Sequence, residues 1–220
     1  MLQNPIFIFE RFSHLFLYGL RVTIQISFIT IIGGTILGTL IAMCRMSKIK
    51  LISFVATAYI EVIRCTPLLL QIYIFAFGLP LTLGINIPDN IAVMIALILN
   101  SSGYVAELIR SGIQAVDKGQ TEAARSLGLG PVRTMLRVVL PQGVRNILPS
   151  LGSEFVMLIK ETSLASIFFF GELMTQVMTL RGSHFLVLEP LIVAGVLYFI
   201  VCFTLSKLVA AYERRLATSD

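Results

Sequence analysis

Charge is scarce in this chain. Only 13% of its 220 residues are Asp, Glu, Lys or Arg, against about 25% in a soluble globular protein. Hydrophobic residues make up 56%, and the mean hydropathy is +0.90. That balance excludes a water-soluble domain and places the chain in lipid. Histidine is nearly absent: His14 and His184 are the only two, and neither has a metal-like partner. Neither a metal site nor a catalytic set is expected. Cysteine is limited to Cys44, Cys65 and Cys202, each in or beside an apolar run. Their odd count and lack of ligand spacing exclude a disulfide framework. No repeat, low-complexity tract or linker interrupts the sequence, so one domain over residues 1–220 is expected. There is no room for a nucleotide-binding fold, and none of the internal repeats usual in secondary transporters. A net charge of +5 would suggest nucleic acid in a soluble protein. Here the basic residues sit between apolar runs and report orientation instead.

What is present is a series of apolar segments. They run from about Leu15 to Cys44, from Leu51 to about Pro80, from near Asn90 past Ala106, from about Ile147 to Gly171, and from Pro190 to Ser206. In the first, the uncharged run Val22–Cys44 is 23 residues, a span rather than a cleavable signal. Each segment must be helical, because backbone polar groups find no water in lipid. The second segment is interrupted by Glu61 and Arg64. Its first part, Leu51–Arg64, is 14 residues or about 21 Å of helix, too short for a ~30 Å hydrocarbon core. One broken crossing is therefore expected there. The fold class that follows is an all-α membrane protein with five transmembrane helices, the second one broken.

Lys and Arg set the direction of these spans. One side of the membrane carries Arg45, Lys48, Lys50, Arg110, Lys118, Arg125, Arg133, Arg137, Arg145, Lys207, Arg214 and Arg215; the other carries Arg11 and Arg181. The N-terminus is then outside, the C-terminus inside, and residues 110–146 cytoplasmic. In this last stretch Thr121–Leu127 reads as a short helix. Glu122 suits its positive end and Gly128 its C-cap. Pro131 suits the first position of a second helix, with Leu136, Val139 and Leu140 on one face. Two readings stand: a helical hairpin on the membrane surface, or a docking element. In the second, Ala123 and Ala124 let a partner approach closely, while Glu122 and Arg125 fix its register.

Several strings in order resemble one family. Glu122-Ala123-Ala124, Gly128 and Leu140-Pro141 are similar to the EAA signature of permease subunits of bacterial ABC importers. Glu61-Val-Ile-Arg64-Cys-Thr66-Pro67-Leu-Leu resembles the E-x-x-R-G-T-P-L of the polar amino acid branch, the histidine/glutamine/arginine type. Asn100-Ser-Ser-Gly-Tyr104-Val-Ala-Glu107, Gly119-Gln120, Leu148-Pro149 and Lys160-Glu161-Thr162-Ser163-Leu164 fit the same branch. Cys65 and Ser153 depart from its usual Gly and Asn. The resemblance implies a type I importer permease in the bacterial plasma (inner) membrane. Its implied partners are a second permease subunit, identical or related, two cytoplasmic ATP-binding subunits and an extracytoplasmic amino acid-binding protein. ATP would sit on the partner subunits, with no cofactor in this chain. Gln120, Glu122, Ala123, Ala124, Arg125 and Gly128 would form the coupling helix.

The ionisable groups inside the spans are then candidates for the substrate path. Glu61 and Arg64 are three apart and able to pair on one helix face, either as a structural pair or as part of a substrate site. In the second case Thr66 caps a new half-helix with Pro67 as its first residue. The half-helix aims its N–H groups at a carboxylate, and Glu61 takes the ammonium. Glu154 and Glu161 are seven apart, about 20° on a helical wheel. Asn100 and Tyr104 are four apart; for Asn100, interhelical bonding is an equal alternative. Gly33, Gly34 and Gly38 read as close-packing positions.

Overall fold

The computed structural model describes residues 4–217, which are helical with no strand among them. The first helix, α1 (Pro5–Arg45), starts ten residues before the apolar pattern suggested. Asn4 and Pro5 supply the reason: the Asn4 side chain accepts from the Ile6 N–H at 3.0 Å, and Pro5 occupies the first turn, where its missing N–H costs nothing. At 41 residues it is about 60 Å long, twice the hydrocarbon core. It is kinked at Phe12, whose φ of −119° and ψ of 21° leave the helical region. Ile8, Phe12 and Phe16, before, at and after the kink, pack on Leu173, Val177 and Leu180 of α9 (Leu173–His184) and on Val193 and Ala194 of α10 (Glu189–Ala217).

The chain turns back into α2 (Lys50–Cys65), breaks at Thr66-Pro67, and resumes as α3 (Leu68–Tyr73), a π-helical turn (Ile74–Gly78) and α4 (Leu79–Leu83). Gly84, with φ of +65°, ends the run. The two halves meet at 108°, far from a straight crossing. Contacts with α5 (Asp89–Gln114) give the path. Tyr59 reaches Leu99 and Ser102, Ile63 lies against Gly103, and Arg64 reaches Glu107. So α2 advances along α5 in the same sense. Past the break the direction reverses, with Gln71 on Asn100 and Ile72 among Val93, Ala96 and Leu97.

The π turn before Pro80 has a counterpart before Pro141. There α7 (Pro131–Thr134) passes through Met135–Val139 into α8 (Leu140–Glu161). A proline removes one backbone donor and crowds the preceding turn, and widening that turn by a residue relieves both. α8 continues as a 3-10 segment (Thr162–Phe168) and then, past a 42° bend, as α9. Three helices, α1, α5 and α10, are long and apolar enough to cross a membrane, or five spans if each bent pair counts once.

α1 packs on α5 through small residues, as in other lipid-embedded bundles. Gly33 faces Ile98, Gly34 faces Ser101, and a Cβ on Gly38 would stand 2.9 Å from the Ser102 carbonyl. The expected close-packing role of these glycines is what the structure contains.

Candidate functional site

The break after Cys65 needs partners for carbonyls that no longer meet an N–H four residues on. Gln71 supplies them. Its amide nitrogen donates to the Ile63 carbonyl at 2.8 Å, the Thr66 carbonyl at 3.2 Å and the Thr66 hydroxyl at 2.8 Å. Thr66 in turn donates its hydroxyl back to the Val62 carbonyl at 2.7 Å. Thr66 therefore closes α2 and does not cap α3, contrary to the sequence reading. Pro67 is the capping residue of α3, one position before the helical slot expected for it, and contributes no side-chain hydrogen bond. The Gln71 oxygen is held by Asn100, whose amide donates at 3.0 Å across the helix pair. Asn100, 3% exposed, is committed to this bond, so interhelical bonding is the alternative realised.

Glu61 and Arg64 do not pair. Glu61 is exposed, with the Cys65 thiol 3.9 Å from its carboxylate. Arg64 leans the other way, its guanidinium 5.8 Å from the centre of the Tyr104 ring and 3.9 Å from Glu107. Three apart on a helix permits a pair but does not require one, and Glu107 on the neighbouring helix competes for the same cation. Arg64 and Tyr104 meet across α2 and α5, and Val105 of α5 shares an apolar cluster with Leu158 of α8, so the stretch of α8 between Glu154 and Glu161 lies beside the same turn of α5. Four of the expected residues, Arg64, Tyr104, Glu154 and Glu161, thus lie on adjoining stretches of α2, α5 and α8. Glu154 is 6% exposed; Glu161, about two turns further along α8, is half-buried. Lys160 points outward but remains close enough to act on Glu161.

Glu107 is the larger surprise. The sequence reading quoted it within a motif without giving it a role. Its carboxylate holds Arg45 at the end of α1 and Arg110 on its own helix, and meets Arg64. An acid inside an apolar span is a signal in itself, and could have singled it out. Gln71, the one amide in the run from Leu68 to Gly78, carries the same kind of signal. Glu172, fully buried, was also missed. It caps α9, accepting from the Thr175 N–H and hydroxyl, each at 2.8 Å.

The second cluster lies in the hairpin between α5 and α8. The helix α6 (Lys118–Ser126) starts three residues earlier than expected, because Asp117 caps it, accepting from Gly119 at 2.7 Å. Glu122 is consequently outside the first turn and does not serve the helix start. Gly128, at φ +82°, closes α6: its N–H meets Arg125 at 3.0 Å and that of Leu129 meets Ala124 at 3.1 Å. These are the two bonds of a Schellman C-cap. Pro131 opens α7 as expected. Gln120, Glu122, Ala123 and Arg125 are exposed. Ala124 is 5% exposed, packed inward, and presents nothing to a partner. Leu136, expected on one face with Val139 and Leu140, is 57% exposed, whereas Val139 is buried.

Comparison with known proteins agrees with this architecture. A family model for the binding-protein-dependent transport system inner membrane component matches residues 34–218. The arginine transport system permease protein ArtQ of Bacillus subtilis (strain 168) is 39% identical over 204 residues, 93% of this chain and 93% of its own. The putative glutamine transport system permease protein GlnP of Rickettsia bellii (strain RML369-C) is 37% identical over 201 residues, 91% of this chain and 92% of its own. A crystal structure of an amino acid ABC transporter with histidines shares the fold with a TM-score of 0.93 at 43% identity, over 98% of this chain and 100% of the other. With that match running through every helix from the middle of α1 onward, the chain belongs to the binding-protein-dependent transport system inner membrane components, the permease subunits of ABC importers.

Proposed function

We propose that this permease lines the path of an ATP-driven importer for a polar or basic amino acid. The substrate would pass among Arg64, Tyr104, Glu154 and Glu161. The observation that supports this is that a guanidinium and a tyrosine meet across α2 and α5, beside the stretch of α8 that carries two carboxylates, inside a bundle dissolved in lipid. Such groups are costly in a membrane and persist where a polar ligand or water meets them. An α-amino acid offers matching charges. Its carboxylate meets Arg64, which Glu61 leaves unneutralised, and its ammonium or a basic side chain meets Glu154 and Glu161. Thr66, Pro67 and Asn100 shape the break that aims Arg64. The similarity to arginine and glutamine permeases favours the same substrate class.

ATP would be hydrolysed on two partner subunits, seated against the exposed face of α6 with Gln120, Glu122, Ala123 and Arg125, next to the Gly128 turn. A second permease subunit completes the path and a binding protein delivers the amino acid. The excess of Lys and Arg on one side supports an orientation with α6 and the C-terminus in the cytoplasm and the N-terminus outside.

Reconstitution with the ATPase subunits and binding protein tests the proposal. Labelled L-arginine or L-glutamine should accumulate only with ATP and binding protein both present; accumulation without ATP would refute an ATP-driven importer. A cysteine at Lys118 should label only from the ATPase side and one at Asn86 only from the opposite side. Labelling of both from one side would refute the orientation.

A further inference from the structure

Glu107 is outnumbered. Among the described residues it is the only carboxylate within salt-bridge distance of Arg45, Arg64 and Arg110, so three cations face one anion. Each guanidinium carries five N–H donors and the carboxylate two oxygens. The other side-chain acceptor in the group is the Gln114 oxygen, bound by Arg110. Most donors are therefore not used within the cluster. The side chains keep partial access to solvent, 17% for Arg45, 37% for Arg64 and 26% for Arg110. Arg64 is the most loosely held, since 3.9 Å exceeds hydrogen-bond reach. It is also the shared member: its guanidinium lies 5.8 Å from the centre of the Tyr104 ring and 3.9 Å from Glu107.

We propose that Arg45, Arg64 and Arg110 form a second anion subsite, at the cytoplasmic end of the transport path, that takes the α-carboxylate of the amino acid as it leaves. The proposal rests on the reading of Arg64, Tyr104, Glu154 and Glu161 as that path. Arg64 hands the carboxylate from one subsite to the other by swinging between Tyr104 and Glu107. Glu107 holds the three guanidiniums together against their mutual repulsion. It also competes with the departing carboxylate, which keeps the subsite weak and release fast.

Product inhibition tests this. In proteoliposomes with the ATPase subunits outward and the binding protein in the lumen, L-arginine or L-glutamine added to the bath should inhibit ATP-driven export from the lumen. The α-amides, which lack the carboxylate, should inhibit at least about tenfold more weakly, the loss expected for one charge-assisted contact. Arg110→Gln should raise the inhibitory concentration by about tenfold, and Glu107→Gln should lower it several-fold while slowing turnover. If Arg110→Gln does not assemble, Arg45→Gln should give the same rise. Equal inhibition by acid and amide would overturn the subsite, as would an inhibition constant unchanged in an assembled arginine variant. Glu154→Gln separates the two readings: an unchanged uptake KM there counts against the path, whereas the bath-side inhibition pattern reports only on the arginine cluster.

Discussion

The break at Cys65–Leu68 and the hairpin at Asp117–Pro131 are both places where one helix stops and another begins, and they are finished in opposite ways. In the hairpin every cap is local. Asp117 serves Gly119, Gly128 turns through a positive φ, and Pro131 opens the next helix. At the break, the caps come from afar. Gln71 reaches back eight residues to Ile63, and its own amide oxygen is held by Asn100, twenty-nine residues on. Solvent explains the difference. Backbone groups left over in the exposed hairpin are satisfied by water, so a single short side chain suffices. Inside lipid each leftover carbonyl needs a protein partner, and the partner must be long or borrowed from a neighbouring helix.

The comparison can be broken most sharply at Gly128. A Cβ there meets nothing within 4 Å, so a side chain causes no clash within this chain. Its effects come from the left-handed φ and from whatever docks outside. Gly128→Asp should cut uptake at least about 100-fold through the charge placed in the docking face, whereas Gly128→Asn, which tolerates the same φ, should retain about a tenth or more. Equal uptake in the two would remove the docking assignment.

Gln71→Leu comes next. It strands the Ile63 and Thr66 carbonyls and the Asn100 amide in the bundle. At about 1–3 kcal/mol for each group left unsatisfied, the detergent-solubilised protein should lose several degrees of melting temperature and much of its yield in the membrane. A wild-type melting curve would mean that water, not Gln71, satisfies the break. The smallest change is expected for Thr66→Val, where Gln71 retains its two carbonyl partners and only the two bonds of the hydroxyl, to the Val62 carbonyl and from the Gln71 amide, are lost. A destabilisation near 1 kcal/mol or less is expected, and one as large as that of Gln71→Leu would reverse the assignment of roles between them.

The same contrast decides what could be read without coordinates. The end of α6 at Gly128 and the start of α7 at Pro131 were legible because glycine and proline act on their own backbone. The helix start was misplaced by three residues because Glu122 was given the positive end of the helix and Asp117, a good cap in plain view, was passed over. In the spans, the order of helices and the convergence of Glu154 with Glu161 followed from periodicity alone. The partners of Arg64 did not. Helical spacing ranks Glu61 first, but the choice of Glu107 depends on α2 running along α5 in the same sense, which the apolar pattern does not encode. The 108° turn at Thr66-Pro67 escaped for a related reason. Proline announces a break, while its angle is set by what Gln71 and Asn100 tie together.

Uptake and ATP hydrolysis, measured together on one reconstituted complex, test the separation of transport path and coupling region most directly. Glu154→Gln keeps the size of a side chain that lies far along α8 from α6, and removes only its charge. The ratio of amino acid moved to ATP hydrolysed should fall at least about tenfold, with binding-protein-stimulated hydrolysis near the wild-type rate, since about 1.4 kcal/mol of lost substrate interaction is enough for that factor. A ratio equal to wild type in the assembled variant would contradict the placement of Glu154 in the path.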